Sequence, residues 1–260
     1  MKNSLALAER IKQHRRTKEI LIMSHTVVGY PTLETSYQLV DALVAAGVEL
    51  IEIQFPFSEP IADGPVLLKA NQTAVMHSIT TDACFEFART VTQKYPNTIF
   101  VIMTYYNIVY KRGVDAFLKA AEEAGISGII VPDMLPEEAA QYQTLFTKTN
   151  VTPFFLVTPK TTPERMQWII KQSRGMLYCV ARVGVTGAQT LFTPAFYAYL
   201  SHVNKLARVP VGVGFGIRTK EDVDNLKGRA DIAIICTKAI ELCVAEGPEA
   251  VGHYFKSLRS

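Results

Sequence analysis

The sequence predicts an α/β protein: a single-domain (β/α)8 TIM barrel over residues 1–260 with an extra N-terminal helix. Three observations carry that expectation. Apolar, β-branched runs alternate with amphipathic helical stretches from end to end, the pattern of βα units and a parallel sheet. Eight such runs are present. The length of 260 residues suits one barrel, a fold of typically ~250 residues, and no linker, low-complexity tract or shift of composition divides it.

An amphipathic helix opens the chain, ahead of the first run, Ile20–Val28, which Gly29-Tyr30-Pro31 closes. The helix that follows carries Tyr37, Leu39, Val40, Leu43 and Val44 at helical spacing and stops at Gly47. Run two is Leu50–Phe55, and run three, Thr98–Thr104, comes after a helix from about Asp82 to Lys94. Run four, Gly128–Val131, follows a helix ended by Gly125. Run five is Val151–Val157 and run six Met176–Ala181. Run seven is Val209–Val213 and run eight Asp231–Ile235, with terminal helices behind it. An open doubly wound sheet is the rival, but it usually has fewer strands and a Gly-rich turn after the first. Gly29-Tyr30-Pro31 is no dinucleotide fingerprint.

Composition narrows the function classes. Hydrophobic residues make up 48% and charged residues 20%, close to the average for globular proteins, which excludes a disordered chain. Lys plus Arg is 27 against 24 for Asp plus Glu, a net charge of +3. That is too mild to argue for nucleic acid, and the basic stretch Lys12–Lys18 reads as a solvated helix face. Glu9 and Arg10 interrupt the apolar residues of the opening segment, so no signal-peptide core is expected. No stretch reaches the ~18–20 apolar residues of a bilayer span. The four cysteines, Cys84, Cys179, Cys236 and Cys243, form no C-x-x-C and no zinc spacing with histidine. A cytoplasmic protein with reduced thiols and no metal is expected.

In this fold chemistry gathers at the C-terminal ends of the strands. After strand two runs a Pro-rich connection, Phe55 to Pro65, too long for a minimal βα turn. Glu52 lies inside that strand, on the face of Leu50 and Gln54. A carboxyl within an apolar run is costly unless neutral or paired. It either turns to the helix layer and bridges to a lysine, or faces a site where desolvation favours its proton-donating form. Asp63, eleven residues on, is either a turn former or the second carboxyl flanking a substrate. Gly184 and Gly187 after strand six, Gly212-Val213-Gly214-Phe215-Gly216 after strand seven, and Cys236-Thr237-Lys238 after strand eight follow in order. Glycines that free backbone N–H groups, followed by a helix start, suit a phosphate.

These residues resemble a known family. Glu52 through Pro65, EIQFPFSEPIADGP, is similar to the ELG-x-PFSDP-x-ADGP segment of tryptophan synthase alpha subunits. Tyr105-Tyr106-Asn107 with Gly113-Val114, Val131-Pro132-Asp133, Tyr178 with Arg182–Gly187, and Gly214-Phe215-Gly216 follow in that family's order. The resemblance covers nearly the whole chain. It implies a lyase that cleaves indole-3-glycerol phosphate to indole and glyceraldehyde 3-phosphate in tryptophan biosynthesis. It also implies a partner, the pyridoxal-phosphate beta subunit of an alpha2beta2 complex, and no cofactor in this chain. By resemblance Glu52 is the acid, Asp63 holds the indole N–H, and Tyr178 lies near the acid. Tyr105 lies beside the indole pocket. Gly187, Gly216, Cys236 and Thr237 correspond to phosphate contacts, and Glu59, Pro60 and Asn107 to the partner surface.

The chain departs from the family pattern at three places. His25-Thr26-Val27 stands where Phe-x-Thr is usual, which alters the wall of the indole pocket. Gln54 replaces a Gly and Glu59 an Asp. Cys236-Thr237-Lys238 replaces Gly-Ser-Ala, keeping a hydroxyl and adding a cation. Among the readings of His25, a satisfied polar group at the end of strand one ranks ahead of a catalyst. Two other functions share the features: another phosphate-binding barrel isomerase, and a non-catalytic alpha-like partner that activates the beta subunit. Paired Glu52 and Asp63 without a strand Cys or Lys nucleophile oppose the first. Retention of Glu52, Asp63 and Tyr178 opposes the second.

Overall fold

The computed structural model describes residues 2–181 and 192–259. The first four strands are β1 (Leu21–Val27), β2 (Leu50–Gln54), β3 (Ile99–Met103) and β4 (Gly128–Ile130). The next four are β5 (Thr152–Val157), β6 (Leu177–Val180), β7 (Val211–Gly214) and β8 (Ile232–Ile235). They close into a barrel in chain order, every pair parallel and β8 returning to β1. Each lies within its expected run except β7. That strand begins after Pro210, which has no N–H to give the ladder, and continues through Gly214.

Both faces of these strands are buried, which is why they read as continuous apolar runs rather than as an alternation. Leu21, Met23, Leu50, Val101, Phe154 and Ile234 fill the barrel, while Ile22, Ile51, Ile53, Phe100 and Ile235 face the helices. The extra N-terminal helix, Lys2–Arg15, adds Leu7 and Ile11 to the interior cluster and so packs onto the inside of the barrel. At the start of β2, Glu49 accepts the Ile22 N–H at 2.9 Å and is ion-paired with Lys18 and Arg259. Thr32, Thr80, Thr162, Thr193 and Thr219 cap the helices that follow them, each such cap being worth ~1 kcal/mol.

Two helices lie outside the sequence expectation. Pro65–Met76 starts where the Pro-rich connection ends, Pro at its first turn being pre-set for helical φ. Tyr106–Arg112 is a short helix that ends in Lys111-Arg112 and is closed by Gly113 at φ +87°. Among the described residues no helix is long and apolar enough to cross a membrane. All four cysteines are free thiols.

Candidate active site

The parallel register sets Glu52 of β2 beside His25 of β1 and Val101 of β3. Alternation from Leu50, inside the barrel, brings Glu52 and Gln54 inward as well. Glu52 therefore does not turn to the helix layer, and the lysine bridge belongs instead to Glu49. Glu52 lines a cavity of about 660 Å3, open mouth included. That is room for a small ligand.

Asp63 lines the same cavity, so the two carboxyls do flank one space. Asp63 is no simple turn former. Its Oδ2 accepts from Gln54 Nε2 at 2.7 Å, Tyr105 OH at 3.0 Å and Asn71 Nδ2 at 3.3 Å. Burial pushes its carboxyl above the usual carboxylate range; the Gln54 bond, the neighbouring His25 and the Tyr105 hydroxyl pull it back. Tyr105 is fully buried behind Asp63, stacks on Phe57 at 5.2 Å, and accepts the Ala62 N–H at 3.2 Å. Through these bonds it ties the loop and the Asp63 carboxyl to the end of β3. Asn71, buried on the inner face of helix Pro65–Met76, also accepts the Phe57 N–H at 3.0 Å and donates to Leu67 O at 2.8 Å. One amide thus ties both ends of the connection to the helix that follows it.

Across the cavity stands Tyr178 on β6, its ring edge-on to Phe215 at 6.2 Å. A Cβ on Gly214 would overlap the Tyr178 phenol, so only glycine lets the ring lie against β7. Burial holds the Tyr178 hydroxyl well above its ordinary pKa, which keeps it a neutral phenol. Met103, Ile130 and Leu156 supply an apolar wall suited to a flat aromatic ligand.

The remaining wall is the far end expected for phosphate. Phe215 and Gly216 both adopt left-handed backbone, at φ +73° and +93°. Beside them Cys236, Thr237 and Lys238 open helix Thr237–Glu246, which no side chain caps. The N–H groups of Thr237 and Lys238 are therefore available to an anion, while that of Ala239 already donates to Cys236 O at 3.0 Å. Cys236 has φ −104°, so replacing the family's glycine there brings no left-handed strain. Arg218 lines this end too, paired with Glu241. Gly187 lies outside the described residues.

Of the expected partner residues, Glu59 and Asn107 are exposed and Pro60 is buried. Pro60's neighbour Ile61, at 73% exposure, presents the apolar surface of that loop. The sequence reading missed the supporting residues Asn71 and Phe57, and noted Gln54 only as a departure on the face of Glu52. A signal existed for Asn71, a polar residue on a helix face otherwise made of Leu67, Ala70 and Ala74.

Gln54 opposes the desolvation of Asp63, so its removal has a definite sign. In Gln54→Ala the Asp63 carboxyl is expected to titrate at higher pH than in the wild type, followed by carbon-13 NMR of the carboxyl. An unmoved or lowered titration would show that the 2.7 Å bond does not support the ionised form.

Comparison with known proteins gives the same reading as the site. The family profile described as "Tryptophan synthase alpha chain" matches residues 11–255. Tryptophan synthase alpha chains of Syntrophotalea carbinolica and Desulforapulum autotrophicum are each 45% identical to this chain. The matches span 96% and 95% of this chain and 98% of each relative. Among solved structures, Mycobacterium tuberculosis tryptophan synthase superposes with a TM-score of 0.90 at 29% identity, covering 97% of this chain and 96% of that one. The alpha subunit from Legionella pneumophila str. Paris gives 0.88 at 28% identity, covering 97% and 96%. The chain belongs to the tryptophan synthase alpha chain family and is a lyase of that family's reaction, the cleavage of indole-3-glycerol phosphate to indole and glyceraldehyde 3-phosphate.

Proposed function

We propose that Glu52 and Asp63 divide the chemistry of this cleavage between them. The carboxyl of Glu52 gives its proton to indole C3, and positive charge develops on the ring. Asp63 accepts the indole N–H and stabilises that charge. The bond from C3 to the glycerol chain then breaks, its electron pair restoring the indole ring. The hydroxyl on the departing carbon becomes an aldehyde, and its proton returns to Glu52. Protons in and out balance over the cycle. Tyr178 sits near the acid as a neutral phenol, and Tyr105 acts on the substrate through Asp63, the residue it holds. The observation that carries this reading is the shared cavity, with Glu52 and Asp63 on one side and Gly216 with Cys236-Thr237-Lys238 on the other.

The phosphate is assigned to Gly216, the Cys236-Thr237 helix start and Gly187, with Lys238 as counter-charge. The chain uses no cofactor of its own, pyridoxal phosphate belonging to the beta subunit. Family membership implies that beta partner, and an alpha2beta2 assembly in the cytoplasm is the proposed arrangement. Exposed Ile61, Tyr110 and Leu135 follow β2, β3 and β4 in turn. With Glu59 and Asn107 they supply an apolar and polar rim suited to docking.

The test is release of indole from indole-3-glycerol phosphate with and without a cognate beta subunit. The isolated chain is expected to be slow and the complex at least ~10-fold faster, a barrier change of ~1.4 kcal/mol. Glu59→Ala should lose much of the stimulation and keep the slow basal rate. Equal rates in a demonstrably formed complex would refute the coupling, and no indole under either condition would refute the residue assignments.

A further inference from the structure

His25 occupies the place where the sequence reading preferred a satisfied polar group, yet only half of it is satisfied. Its Nδ1 lies 2.7 Å from Glu52 Oε1. Its Nε2 is buried with no partner among the described residues. The residue is 1% exposed and Glu52 5%. An orphaned ring nitrogen in a barrel interior costs stability, a cost that a phenylalanine of similar size would not carry. The two residues are register partners on adjacent parallel strands, so the backbone ladder itself sets their side chains together. Three residues earlier, Glu49 is neutralised by two cations. For Glu52 the only ionic partner among the described residues is this imidazole.

The other titratable groups facing the pair come from four elements. They are Asp63 after β2, Tyr105 after β3, Tyr178 on β6 and Cys236 after β8, with Arg218 and Lys238 lining the cavity farther round. Burial holds the Tyr178 hydroxyl and the Cys236 thiol firmly protonated. Neither accepts a proton readily, and a protonated thiol is a poor metal ligand although it completes a His–Glu–Cys cluster. The imidazole is the one basic nitrogen touching Glu52 among the described residues.

We propose that His25 is a proton-sharing positioning residue for Glu52, fixing its carboxyl through the Nδ1 bond and exchanging the catalytic proton with it. This rests on the reading of Glu52 as the proton donor. In the resting pair one proton lies between Nδ1 and Oε1. It passes to the carboxyl as Glu52 protonates C3, leaving a carboxylate beside neutral imidazole. The hydroxyl proton returns to the carboxylate and is again shared with Nδ1. The physical advantage is reach in pH. The Nδ1–Oε1 contact gives the carboxyl a second proton carrier at 2.7 Å, which an amide or a phenyl ring at position 25 does not supply.

Two variants separate proton sharing from orientation and from packing. His25→Asn keeps an amide near the Nδ1 position but cannot carry the proton; His25→Phe fills the space and makes no bond. For His25→Asn, kcat is expected within ~3-fold of wild type at acidic pH and at least ~10-fold low at pH 8, less than the ~10²–10⁴ of a full acid–base group. KM should change little. His25→Phe, which installs the residue usual in the family, should show the same loss at pH 8 and little change at acidic pH. A His25→Asn enzyme with wild-type kcat and pH profile would reduce the role to orientation, and a fast His25→Phe enzyme would reduce it to packing; either overturns the proposal. A third arm needs no turnover. In nitrogen-15-labelled full-length protein, the His25 Nδ1 resonance should move on Glu52→Gln, and an unmoved resonance would dismiss the pair. Wild-type protein that makes no indole while passing this arm would refute the catalytic assignment of Glu52, not the pairing.

Discussion

Glu52→Gln is expected to lower indole formation by ~10²–10⁴-fold, the usual contribution of a general acid–base group. In barrier terms that is ~3–5 kcal/mol. The amide has nearly the carboxyl's shape and can still meet His25 Nδ1, which lies 2.7 Å from Oε1 in the wild type. The β1–β2 register around it is backbone-determined, so the variant should melt close to the wild-type temperature. What it loses is the proton. The measurement is indole release in the presence of the beta subunit, alongside a thermal melt. Near wild-type turnover would remove Glu52 from the chemistry, whatever its place in the cavity.

Asp63→Asn should be slowed by ~10²–10³-fold, the typical cost of losing one transition-state stabilising group. The wild-type Oδ2 receives three donors, from Gln54, Tyr105 and Asn71. An asparagine can offer its carbonyl to those donors only by turning its own NH2 toward the cavity, where an indole N–H also donates. Turned the other way, NH2 faces three donors behind it. In both orientations the negative charge that steadies the protonated ring is gone. Binding through the proposed phosphate end, at Gly216 and the Cys236-Thr237 turn of the same cavity, should persist, so kcat falls far more than KM rises. A variant that saturates poorly but turns over normally would make Asp63 a binding residue only.

The fold was legible for a definite reason. A parallel barrel buries both strand faces, so each strand is an unbroken apolar run, and the intervening helices are capped by threonines with recognisable periodicity behind them. Helix Tyr106–Arg112 escaped because two turns are too few for a periodic pattern to show. Pro65–Met76 escaped because its first residue, Pro65, is also the last of the Pro-rich connection and reads there as part of the loop. The second-strand segment identified the two carboxyls and the family together, since a loop motif of that length is improbable on packing grounds alone.

The sequence by itself determined the barrel and singled out Glu52 and Asp63, which the fold brings to one cavity. It did not distinguish the fates of two glutamates three residues apart. Glu49 and Glu52 look alike as acids in or beside an apolar run. Glu49 meets Lys18 and Arg259 from opposite ends of the chain, whereas Glu52 meets His25 and a cavity. Likewise Gln54, a departure with no evident purpose in the sequence, becomes the nearest donor to Asp63 once the loop folds back over β2. Tyr105, expected beside the pocket, donates to the Asp63 carboxylate, a contact no sequence pattern announces. Periodicity reports only which face of an element is buried. The partners of a buried polar group come from strands and loops distant in the chain, and barrel closure, which fixes the register of every strand against its neighbours, is what selects them.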